Sequence, residues 1–311
     1  MSAVQGQLPL EDMPRRLYSC TPSRLNAWLD CRRRYRFSYL DRPQPSKGPA
    51  WAHNSVGASV HNALAGWWRE PYERRTPLTA AVLLTNGWIT EGFKDAEQSA
   101  RWLARARDLV SGYVTTLDPA DEPVGVERTV ATRTKVIAVS GRIDRLDRRG
   151  DELVVVDYKT GRRPLTQDDA RGSLALAVYA VAAAGMLRTP CHAVELHHLP
   201  TGEIVQWRHT DESLARHLRR AEEMASEAAE ADDRYRAAVA ASGPKDARGA
   251  GRAARGQGPR PTVGPAAVPP EIDALFPPNP GPICSWCDFR RHCPEGQAAA
   301  PDRNPWDGLA E

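Results

Sequence analysis

This 311-residue sequence predicts an α/β fold with a mixed central sheet flanked by helices, on three observations. The helical and alternating periodicities run in the order helices, β meander, helix, hairpin, helix. A continuous apolar run, Leu153 to Val156, ends in Asp157-Tyr158-Lys159, as a buried strand does when it delivers polar groups at its tip. A Gly- and Pro-rich stretch then separates this body from a short cysteine-rich piece near the C-terminus.

Residues 1–20 read as a flexible leader and 21–240 as the folded core. Ser23 is expected to cap a helix over 23–40, with Leu25, Trp28, Leu29, Tyr35, Phe37 and Tyr39 at its apolar positions. Pro43, Pro45 and Pro49 break the chain after it. A second helix is expected over about 57–69 on Val60, Leu64 and Trp67, and further helix over 78–116. From Pro123 the pattern alternates, through Val124 and Val126, then Ile137 and Val139, into the run 153–156. This is a strand meander with its turn at Arg148-Arg149-Gly150-Asp151. Helix returns over about 167–185. A hairpin follows around Pro200-Thr201-Gly202, and then a long polar helix over 212–240 with Leu214, Leu218, Ala221, Ala225 and Ala228 as its apolar stripe. The 28 residues 243–270 hold six Gly, six Pro, five basic residues and one acid, too little apolar area to fold, and read as a disordered linker. Residues 271–296 form a cysteine-cluster segment and 297–311 a tail.

Hydrophobic residues at 41% and charged residues at 26% are ordinary for a soluble globular protein. The most apolar run, Leu174 to Leu187, is too short to cross a bilayer, and the N-terminal residues hold no apolar core of a secretory signal, so a cytoplasmic protein without a membrane partner is expected. Net charge is +3, yet between Pro14 and Arg42 eight Arg face only Asp30 and Asp41. Such an arm suits a polyanion such as nucleic acid, and equally a solvated helix face. Lysine is scarce: five in the chain, Lys159 among them. The sequence contains no Gly-x-x-x-x-Gly-Lys-Ser/Thr loop, so it shows no ATP motor.

The segment with the most chemistry is Gly141-Arg142-Ile143-Asp144, a short turn, then Val155-Val156-Asp157-Tyr158-Lys159-Thr160-Gly161. Asp157 and Lys159, two apart on a strand, share a face. An antiparallel partner can bring Asp144 to the same place. Two close carboxylates repel unless a cation lies between them, and hard oxygen ligands suit Mg²⁺ or Mn²⁺. Lys159 beside such an ion can position or deprotonate water or stabilise a phosphate. A solvated surface hairpin is the plain alternative.

Cys284-Ser285-Trp286-Cys287, then Cys293-Pro294, with Cys31 as a distant fourth, point to metal. Four thiolates suit either tetrahedral Zn²⁺ or a [4Fe–4S] cluster, and spacing leaves both open. Cys20 and Cys191 fall outside this set.

The Gly-Arg-Ile-Asp and Val-Val-Asp-Tyr-Lys-Thr-Gly segments resemble the PD-(D/E)xK nucleases, in particular the RecB/AddB-like exonuclease branch. Ser23-Arg24-Leu25 with Trp28 and Cys31, Gly57-Ala58-Ser59-Val60-His61, Val126-Glu127 and Leu176-Ala177-Val178-Tyr179-Ala180 resemble other parts of that branch, in order, over about residues 20–296 outside the linker. The resemblance implies a restriction-endonuclease-like core in which Lys159, Asp157 and Asp144 are catalytic. By the same resemblance His61, Asp144, Asp157 and the Tyr158 carbonyl hold Mg²⁺ or Mn²⁺. Glu127 reads equally as an ordinary strand-edge acid. Cys31, Cys284, Cys287 and Cys293 match the branch's iron–sulfur cluster, one cysteine near the N-terminus and three near the C-terminus.

The implied activity is hydrolysis of DNA in repair or recombination, on single strands or ends, with or without a helicase partner. Arg24, Arg32, Arg33 and Tyr179 are expected to contact DNA, while Trp28, Tyr35 and Phe37 are either stacking surfaces or core. Ala175 stands where the family often has glutamine, four residues before the helix tyrosine. A second reading therefore stays beside the first: a weakly cutting DNA-binding or scaffold subunit that keeps fold and cluster.

Overall fold

A computed structural model describes residues 17–242 and 269–309. The expected leader up to residue 16 and nearly all of the expected linker lie outside the described residues.

A six-stranded mixed sheet forms the centre. Its strands are β1 (Tyr18–Cys20), β2 (Gly125–Arg133), β3 (Ile137–Arg149), β4 (Glu152–Lys159), β5 (Ala193–His198) and β6 (Glu203–Arg208). The long strand β3 organises it. One edge of β3 carries β2 antiparallel; the other is shared by β4, antiparallel over Arg145–Arg149, and β1, parallel over Ile137–Val139. Between those two stretches, the edge of β3 at residues 140–144 has no ladder partner among the described residues. β5 then pairs parallel to β4, and β6 antiparallel to β5. The meander turn falls where expected, with Gly150 at φ 60°, a conformation glycine adopts without cost.

The helices are α1 (Pro22–Asp30), α2 (Arg32–Tyr39), α3 (Ala52–Arg69), α4 (Pro77–Asn86), α5 (Ala96–Val114), α6 (Gln167–Gly172), α7 (Leu174–Leu187), α8 (Asp211–Ser242), α9 (Pro270–Asp273) and α10 (Pro294–Ala299). Strand β4 explains their placement. Val154, Val156 and Tyr158 enter the core beneath α3, α4 and α5, while Leu153 and Val155 enter the core beneath α7. Apolar burial on both faces is why this strand reads as a continuous run. A third core joins α1, α2 and α8, and Ile272 and Phe276 of the C-terminal piece insert into it.

Five expectations change. The single helix over 23–40 is two helices, because Cys31 is extended (φ −165°, ψ 112°) and caps α2, its Sγ accepting the Arg34 N–H at 3.5 Å. The first cap is Thr21, not Ser23: Thr21 Oγ1 accepts the Arg24 N–H at 3.1 Å. The helix over 167–185 likewise divides, with Ser173 capping α7. Tyr18–Cys20, assigned to the leader from sequence, form β1, since three residues carry too little periodicity to read. The tail also packs: Ala52 N–H donates to the Pro305 carbonyl at 3.0 Å, and Leu309 joins the core under α3.

Candidate active site

The site lies where the sheet parts. Arg145 and Val156 are the last paired residues of β3 and β4, so Asp144 and Asp157 are opposite each other one step beyond the ladder. The Tyr158 N–H, free of the ladder, donates to Asp144 Oδ2 at 2.9 Å. The Tyr158 side chain turns the other way, into the protein. Its hydroxyl accepts from Trp68 Nε1 at 3.2 Å and lies 3.4 Å from the buried guanidinium of Arg145. The peptide presented to the cleft is thus pinned from behind.

Asp144 Oδ1 is 3.3 Å from His61 Nδ1, carried by α3. Glu127 on β2 lies opposite Asp144 in register but makes no ladder pair, and its backbone is left-handed at φ 49°. Such a conformation is costly for a side chain with a Cβ and tends to mark functional positions. Among the described residues, His61, Glu127 and Asp144 are the group of potential metal-ligating side chains with ligand atoms all within 4.8 Å. Arg142 Nε sits 2.7 Å from Glu127 Oε2.

Asp157 is turned to Lys159, whose Nζ lies 2.6 Å from Oδ2. Burial pushes the Asp157 carboxyl pKa up and the charge of Asp144 adds to this, against the pull of Lys159 and His61. For His61, burial disfavours the charged ring, but its hydrogen bond to Asp144 and the charges of Asp144, Asp157 and Glu127 prevail and raise its pKa. Two facing carboxylates, one of them partly buried, and a histidine held by three acids gather the charge that a cation would balance. The donor set of hard oxygens with one imidazole fits Mg²⁺ or Mn²⁺.

Tyr179 on α7 stands beside this group. Burial raises its pKa first, and the charges of Asp157 and Asp144 add to that. Its ring lies directly on Gly141, where any Cβ would collide with it. Gly141→Ala is therefore expected to cost about 1–3 kcal/mol and to displace the tyrosine from the site; urea unfolding and an activity assay on the same preparation measure both. Ala175, partly exposed, lies one turn before Tyr179 on the same helix.

The cleft above these groups has a volume of about 800 Å³. His61, Glu127, Arg142 and Asp144 line it from the core, Ile283 and Trp286 from the C-terminal piece, and Gly308 and Leu309 from the tail. A neighbouring cavity of about 260 Å³ is lined by Cys31, Cys284, Cys287 and Cys293 together. Residues 253 positions apart thus meet where the α1–α2 break exposes Cys31. Cys20 and Cys191 are buried elsewhere, their thiols pushed by burial to about 11 and about 12.

The three arginines expected to contact DNA hold ion pairs within the fold. Arg24 is bound to the buried Asp232 at 2.7 Å, Arg32 to Glu227 at 2.9 Å, and Arg33 to Asp273 at 3.0 Å and Glu295 at 3.2 Å. These acids arrive from α8 and the C-terminal piece, and none of the three arginines lines the cleft. Trp28, Tyr35 and Phe37 are buried core residues. Of the four expected contacts, only Tyr179 reaches the carboxylates.

Sheets of this kind, with an Asp-x-Lys strand end facing a carboxylate across an opening between strands, are the scaffold of metal-dependent nucleases. The family model of the PD-(D/E)XK nuclease superfamily matches residues 19–294, and the chain belongs to that superfamily. Its restriction-endonuclease-like α/β core and the use of divalent metal ions follow from that membership. Among solved structures, the chain is similar to a crystal structure of a candidate exonuclease from Eubacterium rectale, with 10% identity and a TM-score of 0.39, covering 71% of this chain and 83% of that one. Among curated proteins none matches. Among the described residues, no helix is long and apolar enough to cross a membrane.

Proposed function

We propose that the chain is a metal-dependent DNA exonuclease of the RecB/AddB-like branch, acting on single strands or ends in DNA repair or recombination. The observation that carries this reading is the convergence of His61, Glu127 and Asp144 within 4.8 Å in one open cleft, with Asp157, paired to Lys159, opposite Asp144 in strand register. His61, Glu127, Asp144, Asp157 and the Tyr158 carbonyl would hold Mg²⁺ or Mn²⁺. Such an ion, when bound, supplies Lewis-acid polarisation of the scissile phosphate and a more acidic water. Lys159, half-exposed and paired with Asp157, would orient the attacking water while offering its charge to the phosphate. Asp157 holds the lysine and Glu127 holds Arg142 at the rim.

Cys31, Cys284, Cys287 and Cys293 would hold a [4Fe–4S] cluster. A single Zn²⁺ with Zn–S near about 2.3 Å needs all four sulfurs drawn tightly together. The four line one cavity together, which is consistent with a shared metal group. The cluster, when bound, supplies a cross-link between the α1–α2 junction and the C-terminal wall of the cleft.

The test is digestion by purified protein of linear and covalently closed DNA, single- and double-stranded, with Mg²⁺ or Mn²⁺. Loss of linear substrate with intact circles is expected; cutting of circles would replace the exonuclease reading with an endonuclease, and no cutting at all would favour the weakly active scaffold reading to which Ala175 points. A linked result concerns pH. Because His61 is held above its ordinary value of 6.5, protons compete with the metal at higher pH than for an ordinary histidine. Mn²⁺ affinity by calorimetry is expected to be full well above pH 6.5 and to fall as the pH is lowered through the raised pKa; a pH-independent affinity would remove His61 from the ligand set.

A further inference from the structure

We infer that Trp286, with Ile283, forms a stacking subsite for an unpaired base of the DNA strand whose phosphate lies at the carboxylates. The inference rests on the nuclease reading and adds to it the strandedness of the substrate near the cut. Both residues belong to the cysteine segment, yet both line the catalytic cleft together with His61 and Asp144. Trp286 lies between Cys284 and Cys287 in sequence, so the segment that would hold the cluster also presents the indole.

The indole is held firmly. Trp51 and His53 meet it at steep angles, 63° and 86°, with ring centroids 5.1 and 5.4 Å away, and the exposed Arg303 lies over it at 5.3 Å. Indole and guanidinium planes are the two protein surfaces on which unstacked bases settle. Ile283 beside it is 59% exposed and lines both this cleft and the neighbouring cysteine cavity. A base laid there would cover it.

Charge fits the same occupant. Arg142, 70% exposed, and the exposed Arg162 line this cleft and suit a phosphodiester backbone. A volume of about 800 Å³ is that of a small-ligand site. It takes a few unstacked nucleotides, whereas a duplex keeps its bases stacked inside and offers neither Trp286 nor Ile283 a free face.

The experiment uses the full chain carrying Lys159→Ala, so that binding is read without cutting. Anisotropy titrations compare a labelled oligothymidylate with an abasic oligonucleotide of equal length. Adding Trp286→Ala is expected to weaken binding of the oligothymidylate about tenfold and to leave the abasic strand nearly unchanged, with Trp286→Phe restoring most of the loss. Ile283→Ala, at an exposed position that folding does not need, is expected to weaken the oligothymidylate alone by about twofold to threefold. Equal effects on both strands, or no effect of Ile283→Ala, would overturn the stacking subsite. A chain with Lys159 intact that discriminates the two strands but hydrolyses neither would overturn the nuclease reading and leave the subsite standing.

Discussion

Asp144→Asn is expected to reduce DNA hydrolysis by about 10³-fold or more while the chain stays folded. The substitution preserves volume, and the amide oxygen can still accept the Tyr158 N–H that Asp144 accepts at 2.9 Å. What it removes is charge. Asp144 contributes a carboxylate to the His61–Glu127–Asp144 group and holds the His61 ring at 3.3 Å. Losing a ligand and its orienting contact together lowers metal affinity, and outer contacts alone are worth about 10- to 100-fold. Lys159→Ala acts on another step, the water and the phosphate, and is expected to cost about 10²–10⁴-fold without changing metal affinity. Calorimetry with Mn²⁺ separates the two: binding lost in the first variant and retained in the second. The double variant is expected to be no worse than the more damaged single one, because groups that act as a unit are non-additive. Substantial cutting by Asp144→Asn would show that the site lies elsewhere.

Cys284→Ser is the second large effect. It is expected to strip iron from the purified protein, abolish its visible absorbance, and lower both thermal stability and DNA cutting. A cross-link between Cys31 and the C-terminal cysteines closes a loop of roughly 250 residues, for which the chain-entropy treatment of a covalent bridge gives about 5 kcal/mol. The core is not expected to unfold. Ile272 and Phe276 remain in the core with α1, α2 and α8, and Phe289 remains packed on Phe37 with centroids 5.6 Å apart. Activity falls nonetheless, because Ile283 and Trp286 wall the cleft and their loop loses its tether. Zinc analysis decides the alternative: colourless, zinc-loaded wild-type protein would replace the cluster while keeping the tether.

Much of the candidate site's geometry was legible in the sequence for a physical reason. Strand alternation fixes which residues share a face, and a tight turn fixes which residues meet, so Asp144, Asp157 and Lys159 could be placed together before any coordinates. The central sheet and its flanking helices were legible by the same periodicities. What escaped was long-range or conformational. No local pattern reveals that Asp232, Glu227 and Asp273 come from the other end of the chain to neutralise Arg24, Arg32 and Arg33. The left-handed backbone of Glu127 is likewise invisible in a stretch that reads as strand, although Val126-Glu127 had marked the position. The helix break at Cys31 hid behind a cysteine acting as a cap, a role usually filled by serine, threonine, aspartate or asparagine.

The parting of β3 and β4 one step past Arg145 and Val156 makes turn length a determinant of the candidate site. Inserting one residue between Arg149 and Glu152 would slide β4 by a single position and exchange its faces, sending Asp157 and Lys159 inward and the Tyr158 phenol outward. The hairpin therefore tolerates sequence drift at its tip far better than any change in its count, and homologous hairpins are best aligned by spacing from the aspartate on one arm to the lysine on the other.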